Sequence, residues 1–243
     1  MSDTKLPHQG FGGSYHSLLA EFQRRQNGQG TALDLVKLIV DSFPSFRDEV
    51  YLEGRKGQFD IPSLCKYSLL TKYLNLAVCV WKRAQILVAD TWAAFYPDPS
   101  VTTTHPLFPG ESGERIHDLT MFADYRVPQI LHHLRILTYP ESLVTMLREG
   151  RSLEPGSREE VSLRVASIVS VERVREEILR VVKDRTSSQS PGPGKSNAGE
   201  VSSVLIDFFL WDLAKRIEGG EEKIEGIETS GILPAHRTRS IWY

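Results

Sequence analysis

The stretch TMFADYRVPQILHHL (120–134) sets one acid, Asp124, between Met121-Phe122-Ala123 and the helical spacing of Val127, Ile130, Leu131 and Leu134. Pro128 is tolerated only in a first turn, so Asp124 falls at or just before a helix N-terminus, in largely apolar surroundings. A carboxylate in that place can accept the free backbone N–H groups as a cap. It can also act as a base, or as a fixed negative charge facing a cation-like transition state. Spacing alone leaves both open.

Asp207 is the second acid in an apolar place. Leu205, Ile206, Phe208, Phe209 and Leu210 surround it, and Trp211 lies one turn on. Burial is expected, at several kcal/mol unless the group is paired or hydrogen-bonded, so a structural ion pair with an Arg or Lys is the alternative to a site. Lys82, ahead of AQILVA, shares its side of a helix with Gln85, Ile86 and Ala89, and either points inward or snorkels outward. His236, Arg237 and Arg239 form a short basic cluster that Ile241, Trp242 and Tyr243 would anchor to the body. Asp90 reads as a cap at the end of its helix. His132 and His133 have no ligand-spaced partner, and GFGGS (10–14) lacks the strand before it and the Lys after it that a phosphate loop needs. Two buried acids, an inward lysine, aromatics and a basic cluster suit a pocket for an aromatic, anionic small molecule. They do not name a reaction.

The elements that would position these groups are helical. Residues 14–26 and 31–43 read as amphipathic helices, the second behind Thr31 as a cap, and a third pattern covers about 80–96. After a Pro/Gly/Thr/Ser-rich loop (97–115) and the Asp124 helix, a short helix opens at Tyr139-Pro140-Glu141. Ser157 and Glu160 form a capping box ahead of a long helix that is expected to end near Lys183. TSSQSPGPGKSNAG (186–199) has linker composition, and 201–217 is apolar almost all the way round, which predicts a central helix. No alternating strand pattern of useful length and no internal repeat occurs. The expectation is an all-α fold: a disordered start (1–13) and one domain (14–243).

Bulk composition excludes little beyond this. With 243 residues and 40% hydrophobic content the chain can bury a sizeable core. Lys+Arg 29 against Asp+Glu 31 gives a net charge of -2, which argues against broad nucleic-acid or membrane-surface binding. Cys65 and Cys79 have no metal-ligand spacing, and no basic-then-apolar leader or bilayer-length apolar run occurs. A soluble, cytoplasmic protein is expected.

KRAQILVADTW (82–92), LTMFADYRVPQIL (119–131), VLIDFFLWD (204–212) and HRTRSIWY (236–243), with FPSFRDE (43–49), together resemble the queuosine salvage proteins, the queuosine 5′-phosphate N-glycosylases. The resemblance implies an all-α fold related to the helix-hairpin-helix DNA glycosylases. It implies hydrolysis of the N-glycosidic bond of queuosine 5′-monophosphate, releasing queuine for tRNA, on a small-molecule substrate with no metal or organic cofactor. Asp124 then takes the place of the catalytic acid ahead of a hydrophobic helix. Asp207 is assigned to donors on the base, Lys82, Arg237 and Arg239 to the 5′-phosphate, and Phe122, Tyr125 and Trp211 to stacking on the base.

Two departures qualify the resemblance. Family members carry a substantial region ahead of the part matched here, with aromatic residues that help close the pocket. In addition, GQFDIPSLCKYSLLTKYLNLAVCV (57–80) interrupts a motif otherwise continuous from Lys56 to Trp81, as an extra helix or a translated intron. The competing expectation is therefore a non-catalytic all-α module that binds a nucleotide or a protein.

Overall fold

Capped apolar stripes account for the helices. In this computed structural model, residues 11, 13–52, 76–98, 100, 102, 104–109, 116–187, 201–220 and 226–243 are described. Helix α1 (Tyr15–Arg25) starts where the Ser14 side chain accepts the Ser17 N–H, and α2 (Ala32–Ser42) starts at a full capping box between Thr31 and Asp34. The stripe of α2 then buries Leu35, Val36, Leu38, Ile39 and Val40, and Pro44 ends it in a single 3₁₀ turn, Pro44–Phe46. Helices α3 (Lys82–Ala94), α4 (Arg126–His133), α5 (Glu141–Arg148), α6 (Arg158–Ser187) and α7 (Ser203–Glu218) complete the set. The fold is all-α, as expected.

Several expectations need correction. Two short strands, β1 (Glu49–Leu52) and β2 (Leu76–Cys79), pair antiparallel with Glu49 opposite Cys79, and β3 (Ser152–Leu153) runs parallel to β4 (Arg237–Thr238). Elements of two to four residues are too short for an alternating pattern to register. The end of the 57–80 stretch is thus strand, and Val78 and Val80 are buried in the core; its residues up to 75 lie outside the described residues. Phe11, inside the expected disordered start, is buried and packs its ring on Phe43 at 6.3 Å; the residues before it lie outside the described residues, as do 188–200. Helix α6 runs one turn past Lys183, and Asp90 lies exposed within α3 rather than capping its end.

Helix α7 differs most from expectation. Val204, Ile206, Asp207, Leu210, Leu213 and Ala214 face inward, but Leu205, Phe208 and Phe209 are exposed, Phe209 by 60%. An apolar circumference marks a helix that could be covered on all sides, and here one side is open to solvent.

The core comes in adjoining parts. One is built from α1, α2 and α3 with Phe108, Leu119 and Phe122; another from α4, α6 and α7 with Met121 and Ala123. The chain from 119 to 123 therefore feeds its side chains into both, which seats Asp124 at their seam. Among the described residues no helix is long and apolar enough to cross a membrane.

Candidate active site

Asp124 emerges where the seam segment turns into α4. Its Oδ1 accepts the backbone N–H of Arg126 at 2.9 Å and of Val127 at 3.0 Å, while Tyr125, the residue at the helix boundary, contributes no side-chain cap. The capping role is therefore real, but one oxygen performs it. Oδ2 remains outside those bonds. Burial pushes the Asp124 carboxyl up, against the opposite pull of the Val127 N–H, Lys82 and Arg126.

Asp207 projects inward from α7 and is 4% exposed. Its Oδ1 accepts the Phe122 N–H at 3.3 Å, and none of the ion pairs among the described residues includes it. The structural ion pair considered from the sequence is absent there. Burial, and after it the charge of Asp124, push Asp207 up to about 8, while the Phe122 N–H and Lys82 pull the other way. The two acids are coupled and titrate as a pair. Two N–H donors favour the ionised form of Asp124 and one favours that of Asp207, so the two seats differ in the direction that leaves Asp207 the harder to ionise.

Lys82 opens α3 and is buried, with its Nζ 5.3 Å from the centroid of the Tyr243 ring. No carboxylate among the described residues pairs with it within 4.0 Å, which is unusual for a buried ammonium. Burial pulls its pKa down, Asp124 pushes it up, and Arg164 pulls it down again. Trp81, just before it, holds the left-handed conformation at φ 47, which costs a non-glycine residue on the order of 1–3 kcal/mol. Bonds from several backbone groups hold it there. The carbonyl of Asp48 accepts the N–H of Val80 at 2.9 Å and of Trp81 at 3.2 Å, and the Asp48 carboxylate accepts the Lys82 N–H at 3.3 Å.

Sequence reasoning missed a buried polar cluster beneath these groups. Arg164 of α6 is fully buried and binds Asp48 through both guanidinium arms, Nη1 to Oδ1 at 2.9 Å and Nη2 to Oδ2. Its Nε donates to the carbonyl of Ala123 at 3.2 Å. The Tyr243 hydroxyl donates to Glu160 at 2.7 Å and meets His236 Nε2 at 3.1 Å. Burial first, and then the charges of Arg164 and Lys82, hold His236 down at about 4, so it stays neutral. Spacing offered a signal for Arg164: it shares a stripe with Val161, Ile168 and Val171, all buried.

The other expected site residues are placed unevenly. Phe122 is buried and meets Phe208 edge to face at 5.9 Å. Tyr125 is exposed and lines a cleft of about 570 Å³ with Glu218, His236, Arg237 and Tyr243. Trp211 is half-buried, with Lys215 Nζ 3.8 Å and Arg126 Cζ 5.5 Å from its ring centroid. Arg126 in turn pairs with Glu218 at 2.6 Å. Arg239 is exposed and is not among the residues lining the cleft, so the structure brings Arg237 to it and leaves Arg239 outside. Among the described residues no cluster of three His, Cys, Asp or Glu could hold a metal ion.

The arrangement joins two buried carboxyl groups and a lysine that has no ion-pair partner among the described residues; none of the three lines the cleft, which comes next to them at Tyr125 and Tyr243. Comparison with known proteins gives it a context. A family model described as "Queuosine salvage protein" matches residues 63–243, which takes in most of the 57–80 stretch. A Mus musculus protein named queuosine 5′-phosphate N-glycosylase/hydrolase is 34% identical over 236 residues, covering 96% of this chain and 53% of that one. Proteins of the same name from Schizosaccharomyces pombe (32% over 233 residues, 95% of this chain and 52% of that one) and Sphaerobacter thermophilus (32% over 213 residues, 88% and 48%) are also similar. The chain spans about half the length of the curated relatives it matches. With the match spanning most of its length, the chain belongs to the queuosine salvage protein family.

Proposed function

We propose that this site hydrolyses the N-glycosidic bond of queuosine 5′-monophosphate, releasing queuine for reuse in tRNA. The observation that carries the reading is the unequal acid pair: Asp207, pushed up to about 8, beside an Asp124 whose ionised form two N–H groups support. As the C1′–N bond breaks, its electron pair leaves with the base and the ribose gains oxocarbenium character. The Asp124 carboxylate opposes that charge and takes a proton from the water that adds to C1′; the departing base nitrogen gains a proton in turn. Asp207, neutral, offers an O–H donor and an acceptor oxygen to the base edge.

Lys82, with no ion-pair partner among the described residues, is the cation for the 5′-phosphate, with Arg237 as a further contributor from the basic cluster; Arg239, outside the cleft, is left out of that role. Phe122, Tyr125 and Trp211 supply aromatic surface for the base. Water and two carboxyl groups suffice for this chemistry, so the reading calls on no cofactor, and a nucleotide rather than a nucleic acid is its substrate. The scaffold is taken as related to the helix-hairpin-helix DNA glycosylases, and the location as cytoplasmic.

The test is incubation of the purified chain with queuosine 5′-monophosphate and measurement of free queuine by mass spectrometry, with Asp124→Asn as control. Release that depends on Asp124 supports the reading. Tight binding without release would overturn it in favour of a nucleotide-binding module.

A further inference from the structure

We propose that the buried Asp48–Arg164 pair is a positioning device that sets Lys82 and Asp124 against each other across the site. This rests on the proposed reading of Asp124 and Lys82 as working groups. The two come from segments far apart in the chain, and neither bonds the other directly. Asp48 holds one side: its carbonyl takes the N–H groups of Val80 and Trp81, its carboxylate takes that of Lys82, and Trp81 is kept left-handed between them. Arg164 holds the other side, donating to the carbonyl of Ala123, the residue immediately before Asp124. The bidentate bond between the pair closes the brace.

The Arg164 guanidinium divides its donors between two tasks, Nη1 and Nη2 for Asp48 and Nε for Ala123. Nη1 and Nη2 lock onto the carboxylate as a planar fork, and this fixes the direction in which Nε can donate. Glu160, at 3.5 Å from Nη1, and the Tyr243 ring, 5.3 Å from Cζ, surround the same guanidinium. A surface pair would tolerate slack. Here both partners are buried, with side chains 2% and 1% exposed, so a displacement is transmitted to the backbone on either side.

Arg164→Lys separates positioning from charge, because an ammonium keeps the positive charge while losing the fork and the bond to Ala123. The variant is assayed for queuine release from queuosine 5′-monophosphate, and the Asp207 carboxyl is titrated by carbon NMR in the same protein. The expected result is a cooperatively unfolding variant whose kcat falls at least 10-fold on general grounds of misplacement, with KM raised as well because Lys82 loses its place. The Asp207 midpoint should also fall, since an Asp124 freed from its seat raises Asp207 less. Asp48→Asn, which keeps the shape and an oxygen for the Lys82 N–H, should do the same. A folded Arg164→Lys with the Asp207 midpoint unchanged overturns the proposal, and so does loss of cooperative folding in both variants, which would make the pair purely structural. If the unaltered chain releases no queuine, the functional reading fails on its own, and the NMR midpoint still decides the brace.

Discussion

The backbone N–H of Phe122 donates to Asp207 Oδ1 at 3.3 Å, while two residues later Asp124 turns its own Oδ1 to the start of α4. One short segment, lying at the seam between two parts of the core, thereby seats both acids. Their inequality follows from this seating: one acid receives two N–H bonds at a helix N-terminus, the other receives one in a buried place. Electrostatic coupling then makes ionisation of the second acid harder once the first is charged.

Stability should therefore depend on pH in a defined direction. Asp207 is raised from 3.8 to about 8, so the folded chain keeps its proton over a range where the unfolded chain has released it. Stability falls as pH rises through that window and levels off above it, with a slope approaching about 1.4 kcal/mol per pH unit for one full proton. Asp207→Asn should lose most of the slope, Asp124 retaining a contribution of the same sign. Urea unfolding at pH 5, 7 and 9 measures it. Parallel curves for the two proteins would put the proton elsewhere.

Replacing Lys82 by Met removes a buried cation that has no carboxylate partner among the described residues. The melting temperature should hold or rise, because burial of that charge is already unfavourable, as its lowered pKa indicates. Affinity for queuosine 5′-monophosphate, by calorimetry, should weaken at least 10-fold, about 1.4 kcal/mol. Both acids should titrate higher without their nearby positive charge. Unchanged affinity would take Lys82 out of the binding site.

The exposed side of α7 offers a direct contrast. Phe209→Ser should alter unfolding free energy by no more than about 0.5 kcal/mol, whereas Leu210→Ala, one residue on and buried, should cost about 2–5 kcal/mol. Equal losses would show that Phe209 is covered in solution.

How far the fold could be read from sequence follows from how local each signal is. Helices α1 and α2 were legible from their apolar stripes, and α2 also from Thr31, the cap that stands next to its stripe. The orientation of α7 was not, since an apolar residue on every side gives no clue to which side meets a neighbour. Asp124, Asp207 and Lys82 could be found because each breaks an apolar pattern. Arg164 could be overlooked because Glu160, four residues before it, reads as half of a capping box with Ser157, while Asp48 is 116 positions away. Pairings at such distance leave no periodic trace.

Asp124 decides between cap and catalyst, and the geometry lets one substitution separate them. In Asp124→Asn the side-chain oxygen can still accept the N–H groups of Arg126 and Val127, so the start of α4 should survive and ligand affinity should be kept. On the proposed reading, what is lost is the negative charge facing the ribose and the base that takes a proton from water. Each is worth on the order of 10²–10³-fold, so queuine release should fall by at least the lower figure. Asp124→Ala removes the cap as well and should cost a further 1 kcal/mol or so of stability, read by thermal or urea unfolding. A cap without catalytic work makes the opposite forecast: near-normal release for Asn and a loss of stability alone for Ala. Release by the Asn variant within a few-fold of the unaltered chain would exclude Asp124 as the reacting carboxylate and move that role to Asp207, the only other acid seated by the same segment among the described residues.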